Sequence, residues 1–272
     1  MNDLHAIVLG IVQGITEWLP ISSTAHLQVV PTLLGWPNPP THFKAAIQLG
    51  TVLAALIYFR KDILDVLTRA PQSGAIEGRA DRRLLVPVIV GTIPVVVVGL
   101  AFHRIIENTI QNLWVEAVSM VVFGLILAYA ERRTRVNRQM DTVTISDGLT
   151  VGLGQMLSLI PGASRSGTTM TAAMFTGLER GTAARFSFLL SIPAVTGAGL
   201  YEAIKARHEI VASHMMRPLL LATLASFLIG WASIAWLLGY LKTRPTYVFV
   251  VYRLIVGALL LALLWGGHLS AT

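Results

Sequence analysis

The chain of 272 residues contains no cysteine and little charge, and each absence excludes a class of protein. Without cysteine there is neither a disulfide framework nor a thiolate metal site. Only 13% of the residues are charged, whereas soluble domains average about 25%. Because 54% of the residues are hydrophobic and fall in long runs, the composition predicts a protein that spans a bilayer.

Basic residues are absent from residues 1–43, so the positively charged start of a secretory signal is missing. We therefore expect the first apolar stretch to be retained in the mature protein. Elsewhere the Lys and Arg residues lie in short loops between apolar runs. The net charge of +7 therefore indicates membrane topology, and we expect no nucleic-acid partner.

Six apolar runs are long enough to cross a membrane as helices, since a span needs about 20 residues. They lie at approximately 43–59, 84–102, 113–130, 184–204, 218–241 and 246–266. The predicted fold class is therefore an all-α polytopic membrane protein.

Two further apolar stretches, residues 4–35 and 148–180, are interrupted by polar residues around Pro20 and Pro161. Each pattern predicts two short helices that meet at a polar turn. Irregular polar backbone at membrane depth is stable only where protein or a water-filled cavity covers it. We therefore expect two re-entrant helical hairpins in addition to the six spans.

The two hairpin stretches also indicate an internal repeat. Aligning Pro20 with Pro161 places Ser23 on Ser164, and each half then contains one hairpin and three spans. An odd number of spans reverses the orientation of the second half. The sequence thus predicts one integral membrane domain, residues 1–272, with inverted repeats at approximately 1–135 and 148–272 and a site where the broken helices meet.

The basic residues are distributed unequally between the two sides of the predicted spans. Five of the 21 lie on one side, and two, Arg165 and Arg253, lie within apolar stretches. The other side has fourteen: Arg60, Lys61, Arg69, Arg79, Arg82, Arg83, Arg132, Arg133, Arg135, Arg138, Arg180, Arg185, Lys242 and Arg244. The positive-inside rule places those fourteen in the cytoplasm and both termini outside.

The first hairpin carries the polar residues Gln13, Glu17, Ser22, Ser23, Thr24 and His26. A carboxylate at membrane depth is energetically unfavourable and usually functional. The structural alternative is that Glu17 pairs with an arginine and only holds helices together. Helix capping would explain one of the three hydroxyl residues, but not all three with a histidine one turn further on.

The second hairpin contains Gly162, Ser164, Arg165, Ser166 and Thr169. Glycine allows close approach of the backbone, hydroxyl residues cap a helix whose free N–H groups attract anions, and a guanidinium matches phosphate oxygens. These features together predict a phosphate site. A helix contact made of small residues is the alternative, although it would not require Arg165.

If the two tips meet, two helix N-termini and one guanidinium surround a single point beside Glu17 and His26. Such a site would bind phosphate and provide an acid, a base and an attacking hydroxyl group. The sequence does not decide between Ser23 as the nucleophile and a water activated by Glu17. Arg253 in the last span is predicted to contact either the phosphate or Glu17.

At these motifs the chain resembles the undecaprenyl-diphosphatase family, also known as bacitracin-resistance proteins. The first family pattern is matched by Gln13, Glu17, Leu19, Pro20, Ser22, Ser23 and His26. The second is matched by Pro161, Gly162, Ser164, Arg165, Ser166 and Thr169. The span layout and the pair Tyr252 and Arg253 also match, so the resemblance covers essentially the whole chain.

The resemblance implies hydrolysis of undecaprenyl diphosphate to the monophosphate, in the bacterial plasma (inner) membrane, at a site open to the outside. It implies a divalent cation, Mg or Ca, for which Gln13 and Glu17 are candidate ligands. The implied catalytic residues are Glu17, Ser23, His26 and Arg165. The implied phosphate-binding residues are Ser22, Thr24, Gly162, Ser164, Ser166, Thr169 and Arg253.

A transporter of polyprenyl phosphate is the alternative function, because broken helices in an inverted repeat are typical of transporters. A carrier would need the anion site but not a serine and a histidine one turn apart beside a buried Glu17. A purely structural subunit explains neither hairpin. The sequence leaves the oligomeric state open, with a homodimer as one alternative.

Overall fold

The computed structural model describes residues 2–69, 80–108, 112–133, 137–212 and 216–269. In chain order its α-helices are α1 Asp3–Trp18, α2 Ser23–Leu33, α3 Thr41–Tyr58, α4 Arg60–Thr68, α5 Leu85–Asn108, α6 Leu113–Arg133, α7 Ile145–Leu157, α8 Arg165–Phe175, α9 Arg180–Ala212, α10 Met216–Leu241 and α11 Tyr247–Trp265. Short 3₁₀ turns at Arg82–Leu84 and Met140–Thr142 precede α5 and α7. The predicted all-α fold is confirmed.

Among the described residues, five helices are long and apolar enough to cross a membrane by themselves: α5, α6, α9, α10 and α11. A sixth span results when α3 and α4, which are bent by 60° relative to each other, are counted as one unit. Large apolar side chains such as Leu100, Leu220 and Ile255 are exposed on these helices, as lipid-facing positions require. The protein is therefore a multi-pass membrane protein.

The two interrupted stretches fold as the predicted helical hairpins. Residues 19–22 join α1 to α2, and residues 158–164 join α7 to α8, so both turns fall at the predicted prolines. At the start of α7, Thr144 accepts a hydrogen bond from the Asp147 N–H while the Asp147 carboxylate accepts one from the Thr144 N–H. This capping box fixes where the second hairpin begins.

The two halves make equivalent helix contacts. The first hairpin helix α1 packs against α10, and its counterpart α7 packs against α5. In each case a glycine allows the backbones to touch: a β-carbon at Gly10 would lie 2.3 Å from the Ala222 carbonyl oxygen, and one at Gly152 would lie 2.3 Å from that of Gly91. This equivalence supports the predicted repeat, whose limits and opposite membrane orientation stay predictions.

The register of the repeat differs by one residue from the sequence alignment. Gly10 and Gly152 are 142 positions apart, and so are Ser22 and Ser164, the residues that precede α2 and α8. Ser22, not Ser23, is therefore the counterpart of Ser164. Aligning the prolines gives the wrong register because the second turn is longer than the first. Pro161 therefore lies one residue further from the start of α8 than Pro20 lies from the start of α2.

An aromatic cluster lies next to the tip of the first hairpin, at the end of the molecule where α3 and α10 end and α9 begins. The rings of Trp18 and Phe188 are 5.1 Å apart and those of Phe59 and Phe188 are 6.1 Å apart. These side chains are nearly or completely buried in the main hydrophobic core. This core closes the space between the tips and the arginine-rich end. Arg79 and Arg135, which were counted at that end, lie outside the described residues.

Candidate active site

The tips of the two hairpins meet and exchange hydrogen bonds. The Ser166 hydroxyl donates to the Leu19 carbonyl at 2.9 Å, and the Gly162 N–H donates to the Thr24 hydroxyl at 3.4 Å. Each tip thus contacts a polar group of the other. The predicted convergence of the two polar turns is therefore found in the structure.

Ser22 and Ser164 both adopt a left-handed backbone conformation, with φ of 76° and 69°. They are the only non-glycine residues with positive φ in the described part of the chain. This conformation is strained for an L-residue, and such strain concentrates at functional sites. It turns the chain sharply into α2 and α8, so that the N-terminal residues of both helices line one pocket, where unpaired N–H groups favour an anion.

Glu17 is the acceptor at the centre of this pocket. Its Oε2 atom accepts hydrogen bonds from the Ser23 hydroxyl at 2.7 Å and from the Gln13 amide at 3.1 Å. Its Oε1 atom lies 3.5 Å from a guanidinium nitrogen of Arg165. The carboxylate is therefore in position to take the proton of Ser23, as a general base must be.

Arg165 is the first residue of α8, and its side chain is 29% exposed. Apart from the long contact with Glu17, the described residues offer its guanidinium no acceptor. Several N–H donors are thus available to an incoming anion. A guanidinium can bind two phosphate oxygens at once, so the predicted phosphate role fits the geometry.

His26 contacts the last span rather than Ser23. Its Nδ1 atom is 2.6 Å from the Ser22 carbonyl oxygen, and its Nε2 atom is 2.6 Å from the Tyr252 hydroxyl. Because a carbonyl oxygen can only accept, Nδ1 carries a proton, and in the neutral ring Nε2 accepts from Tyr252. Sequence reasoning mentioned Tyr252 only as the neighbour of Arg253 and missed this contact.

Arg253 occupies a different place from the one predicted. It is fully buried and donates to the backbone carbonyls of Ser119, Met120, Pro20, Gly162 and Ala163. Neither Glu17 nor the pocket is among its contacts in the described structure. The guanidinium therefore ties both hairpin tips to α6, because a buried cation at this depth is stable only when its donors are satisfied.

The pocket itself is narrow, with a volume of about 50 Å³. Six of the predicted site residues line it: Glu17, Ser22, Ser23, Thr24, Ser164 and Arg165. Gln13, His26, Gly162, Ser166, Thr169 and Arg253 do not. The lining residues that sequence reasoning missed are Thr16, Ser158 and Ile160. Thr16 and Ser158 are 142 positions apart, so the corrected repeat register would have indicated them as a pair.

Two predicted phosphate ligands direct their hydroxyl groups elsewhere. Thr169 is completely buried, and its hydroxyl donates to the Arg165 carbonyl at 2.7 Å within α8. The Ser166 hydroxyl is used by Leu19 in the other tip. Both predictions are therefore revised: Thr169 stabilises the helix, and Ser166 joins the hairpins. Gly162 is likewise a structural residue, because a β-carbon there would lie 2.3 Å from the Glu116 carbonyl oxygen of α6.

The residues near Glu17 fit a hard divalent cation. The Gln13 Oε1 atom is buried and finds no hydrogen-bond partner among the described residues. Within the described part of the chain, no group of three or more acidic, histidine or cysteine side chains is placed to hold a metal. A cation would then bind through Gln13 and Glu17 together with substrate oxygens, as Mg²⁺ commonly does with one or two carboxylates and substrate phosphates.

Fold and site together define a multi-pass membrane protein with an anion pocket between two helical hairpins, equipped with a carboxylate, a hydroxyl group and a guanidinium. The comparisons agree with this class. Residues 6–259 match the family described as Bacitracin resistance protein BacA, so the chain belongs to that family.

Full-length relatives give the same result. The chain is 48% identical to an undecaprenyl-diphosphatase of Chloroherpeton thalassium, with all of both chains covered. It is 46% identical to one of Chlorobaculum tepidum, covering 99% of both chains. It is 49% identical to one of Myxococcus xanthus, covering 99% of this chain and 92% of the relative.

Proposed function

We propose that this protein hydrolyses undecaprenyl diphosphate to undecaprenyl phosphate and inorganic phosphate. The reaction recycles the lipid carrier of cell-wall synthesis, and it accounts for the bacitracin resistance after which the family is described. The observation that carries the proposal is the hydrogen bond from Ser23 to Glu17 inside a pocket built for an anion. The names of the full-length relatives support the substrate.

The terminal phosphate is held at the hairpin tips by Arg165 and by the N-terminal N–H groups of α2 and α8. Both groups are positive, and both lie in a pocket with little room for water, where charge interactions are strong. The polyprenyl tail lies along apolar, lipid-exposed helix surfaces. Arg253 does not touch the substrate but fixes the relative positions of the two tips.

The Ser23 hydroxyl attacks the terminal phosphorus while its proton passes to Glu17. A bond forms between Ser23 Oγ and phosphorus, and the bond between phosphorus and the bridging oxygen breaks. The leaving group is the polyprenyl monophosphate, which leaves as an anion and needs no proton. Glu17 releases the proton it took from Ser23 to solvent and then deprotonates a water. This water attacks the phosphorus of the phosphoserine, the bond between phosphorus and Ser23 Oγ breaks, and the serine oxygen regains a proton from Glu17 as inorganic phosphate leaves.

Gln13 and Glu17 would hold a divalent cation, which when bound would offset the negative charge of the diphosphate. Its chemistry is that of a hard ion held by oxygen ligands, which both Mg²⁺ and Ca²⁺ satisfy. Glu17 would then have two roles, as ligand and as base. The unpartnered Gln13 Oε1 is the structural feature that supports this assignment.

The protein lies in the bacterial plasma (inner) membrane with its site open to the outside. The arginine-rich ends of the spans face the cytoplasm by the positive-inside rule. The aromatic cluster around Phe188 closes the side of the hairpin tips that faces those ends. The substrate phosphate therefore reaches the tips from the opposite, outer side.

The first experiment measures phosphate release from undecaprenyl diphosphate by the detergent-purified protein, with a chelator control. The variants are Glu17→Gln and Ser23→Ala, and the controls are Glu209→Gln and the exposed Ser146→Ala, both outside the site. We expect both site variants to lose at least about 100-fold in rate, the range typical of a lost base or nucleophile. Near-normal release from Glu17→Gln would contradict the mechanism, and near-normal release from Ser23→Ala would replace the serine by an activated water.

The orientation of the protein in the membrane can be tested by cysteine labelling, because the chain has no cysteine of its own that would react. Single cysteines are introduced at two exposed positions, Asn38 on the proposed outer side and Ser146 on the cytoplasmic side. A membrane-impermeant maleimide added to intact cells should label Asn38→Cys alone. Labelling of Ser146→Cys before permeabilisation would reverse the orientation.

The transporter alternative is not favoured, since the relatives are named for hydrolysis and the pocket contains a base and a nucleophile that carriage does not need. A homodimer would use the exposed apolar helix faces. The mass of the detergent-purified protein, corrected for bound detergent, tests whether two copies associate.

A further inference from the structure

A second and larger cavity, of about 490 Å³, lies at the arginine-rich end of the molecule. Its walls come from the end of α3, the start of α4, the start of α9 and the end of α10, and the segment that precedes α7 completes them. The aromatic cluster around Phe188 lies between this cavity and the hairpin tips. The cavity is therefore not part of the hydrolytic site, and its function is independent of the reaction proposed above.

The charged side chains of the cavity leave one positive and one negative group to bind a ligand. Asp62 and Arg185 form an ion pair with each other. Glu179 accepts a hydrogen bond from the uncharged Gln139 amide. The described residues give the Lys242 ammonium neither a hydrogen bond nor an ion-pair partner.

Arg180 does not neutralise Glu179. Although it interacts electrostatically with Glu179, its guanidinium is bound to Glu131, with its Nε atom 2.7 Å from the carboxylate. Glu179 and Lys242 thus remain as opposite charges on different walls of one cavity. A ligand that carries a negative and a positive group would match both.

The cavity lies at the depth of lipid head groups. Ala235, Leu238 and Gly239 of α10 form its apolar wall. On the adjacent surface of the same helix, Trp236 is 52% exposed and stacks on Tyr240 with ring centroids 5.2 Å apart. Exposed tryptophan and tyrosine side chains mark the membrane–water interface. A lipid lying against α10 can therefore place its head group in the cavity and its chains in the bilayer.

We propose that this cavity binds the head group of a zwitterionic phospholipid of the phosphatidylethanolamine type. The phosphate contacts Lys242, and the primary ammonium donates to Glu179. The volume corresponds to roughly 16 water molecules at about 30 Å³ each, which is enough for both groups. A ligand with only negative charge would meet the carboxylate of Glu179, and a trimethylated choline has no N–H group to donate to Glu179.

The test uses the full-length protein in detergent, with its thermal unfolding followed during titration with short-chain phospholipids. The probes are phosphatidylethanolamine, phosphatidylcholine, phosphatidylglycerol and inorganic phosphate. The variants are Lys242→Ala and Glu179→Gln. Matched controls are Lys61→Ala on α4 and Glu202→Gln on α9, neither of which lines the cavity.

Phosphatidylethanolamine should stabilise the wild-type protein and both control variants. Lys242→Ala and Glu179→Gln should each weaken its binding by about tenfold, as expected for one lost charge-assisted hydrogen bond. Hydrolysis of the polyprenyl diphosphate by all four variants should stay at the wild-type rate. This readout separates the proposal from the hydrolytic function, which can fail without affecting lipid binding.

Three outcomes would overturn the proposal. An equal response to phosphatidylcholine would show that no N–H donor is recognised. An equal or greater response to phosphatidylglycerol or inorganic phosphate would indicate an anion site. Unchanged binding of phosphatidylethanolamine to both Lys242→Ala and Glu179→Gln would show that the lipid binds elsewhere.

Discussion

Ser22 and Ser164 have the same left-handed backbone conformation at the same point of two hairpins, each immediately before the helix that enters the site. Only Ser164 is compensated by a side-chain cap, since its hydroxyl accepts from the Gly167 N–H at 3.2 Å. The Ser22 hydroxyl instead pairs with that of Thr24. The two positions thus have equal strain and unequal capping, which makes them separable by mutation.

Replacing Ser22 with glycine should stabilise the protein by about 0.5–1 kcal/mol, because glycine adopts positive φ without steric strain. Replacing Ser164 with glycine should leave the free energy of unfolding within about 0.5 kcal/mol of the wild-type value. The relief of backbone strain is offset by the loss of the hydroxyl group that caps α8. Thermal unfolding in detergent measures both. Equal shifts in the two variants would show that capping by Ser164 contributes nothing.

Replacing Arg165 should affect the reaction according to the geometry of the new side chain. Arg165→Ala should lower kcat/KM by about 10²–10³-fold, the loss expected for a donor that stabilises transition-state charge. Arg165→Lys should recover only part of the rate, because an ammonium cannot bind two phosphate oxygens in a plane. The exposed Arg207→Ala is the matched control. Full activity of folded Arg165→Ala would remove Arg165 from the site.

The family resemblance implies a catalytic role for His26, which lies outside the pocket and contacts Tyr252, and we expect Tyr252 to hold its ring in place for that role. Tyr252→Phe removes the hydroxyl 2.6 Å from Nε2 and leaves the stacked ring in place. We expect kcat to fall by about tenfold with little change in KM, since the histidine loses its orientation but no substrate contact is removed. Tyr247→Phe at the exposed start of α11 controls for the loss of a hydroxyl group. A change confined to KM would instead place Tyr252 in substrate binding.

The sequence was sufficient to predict the spans and hairpins, because both depend on local pattern. Runs of apolar residues and the prolines at positions 20 and 161 identify these elements without knowledge of the fold. Glu17 and Arg165 were also predictable, since a charge inside an apolar chain requires a function or a partner. Arg253 also obeys this rule, because backbone carbonyls are its partners, but the sequence pattern does not distinguish such a structural arginine from one that binds substrate.

Contacts between distant segments could not be predicted in this way. Tyr252 and His26 are 226 positions apart and meet only because α11 packs beside the first hairpin. Nor does any local pattern place Glu179, Lys242 and Asp62 around one cavity, since they belong to three different helical regions. The register predicted for the repeat was wrong for a related reason. The two turns differ in length, so their prolines are not equivalent, whereas the starts of α2 and α8 are.

An ion pair between the segment before α7 and the first turn of α7 should make stability depend on pH. Arg138 binds both carboxylate oxygens of Asp147, at 3.0 and 2.7 Å, outside the membrane spans. Burial alone would raise the pKa of the Asp147 carboxyl, but the hydrogen bonds from Arg138 and Thr144 outweigh it and hold that pKa below its usual range. A lowered pKa means that the pair stabilises the protein above the unfolded pKa of about 3.9 and that this contribution is lost as the pH falls through the folded value.

Asp147→Asn should therefore lower the free energy of unfolding by about 1–3 kcal/mol at neutral pH and flatten the acid limb of the stability curve. Unfolding midpoints measured between about pH 2 and pH 6 test this, with the exposed Asp141→Asn as control. An acid limb identical to that of wild type would show that other carboxyl groups dominate.

The repeat also provides a comparison between two buried amides, Gln13 and Gln155, which are 142 positions apart. Gln13 donates to Glu17 at 3.1 Å, whereas neither polar side-chain atom of the fully buried Gln155 has a partner among the described residues. The counterpart of Glu17 in the second hairpin is Leu159, so the carboxylate that would accept from Gln155 is missing. An unsatisfied buried amide is destabilising, so Gln155→Met, which keeps the volume and removes the polar atoms, should raise the stability by about 1 kcal/mol.

Gln13→Met should change stability little and reduce hydrolysis by at least about tenfold, because it removes a partner of Glu17 and a candidate cation ligand. Thermal unfolding measures the stability of each variant, and phosphate release from the same preparations measures its rate of hydrolysis. A loss of stability in Gln155→Met would mean that a bound water or ion satisfies that amide.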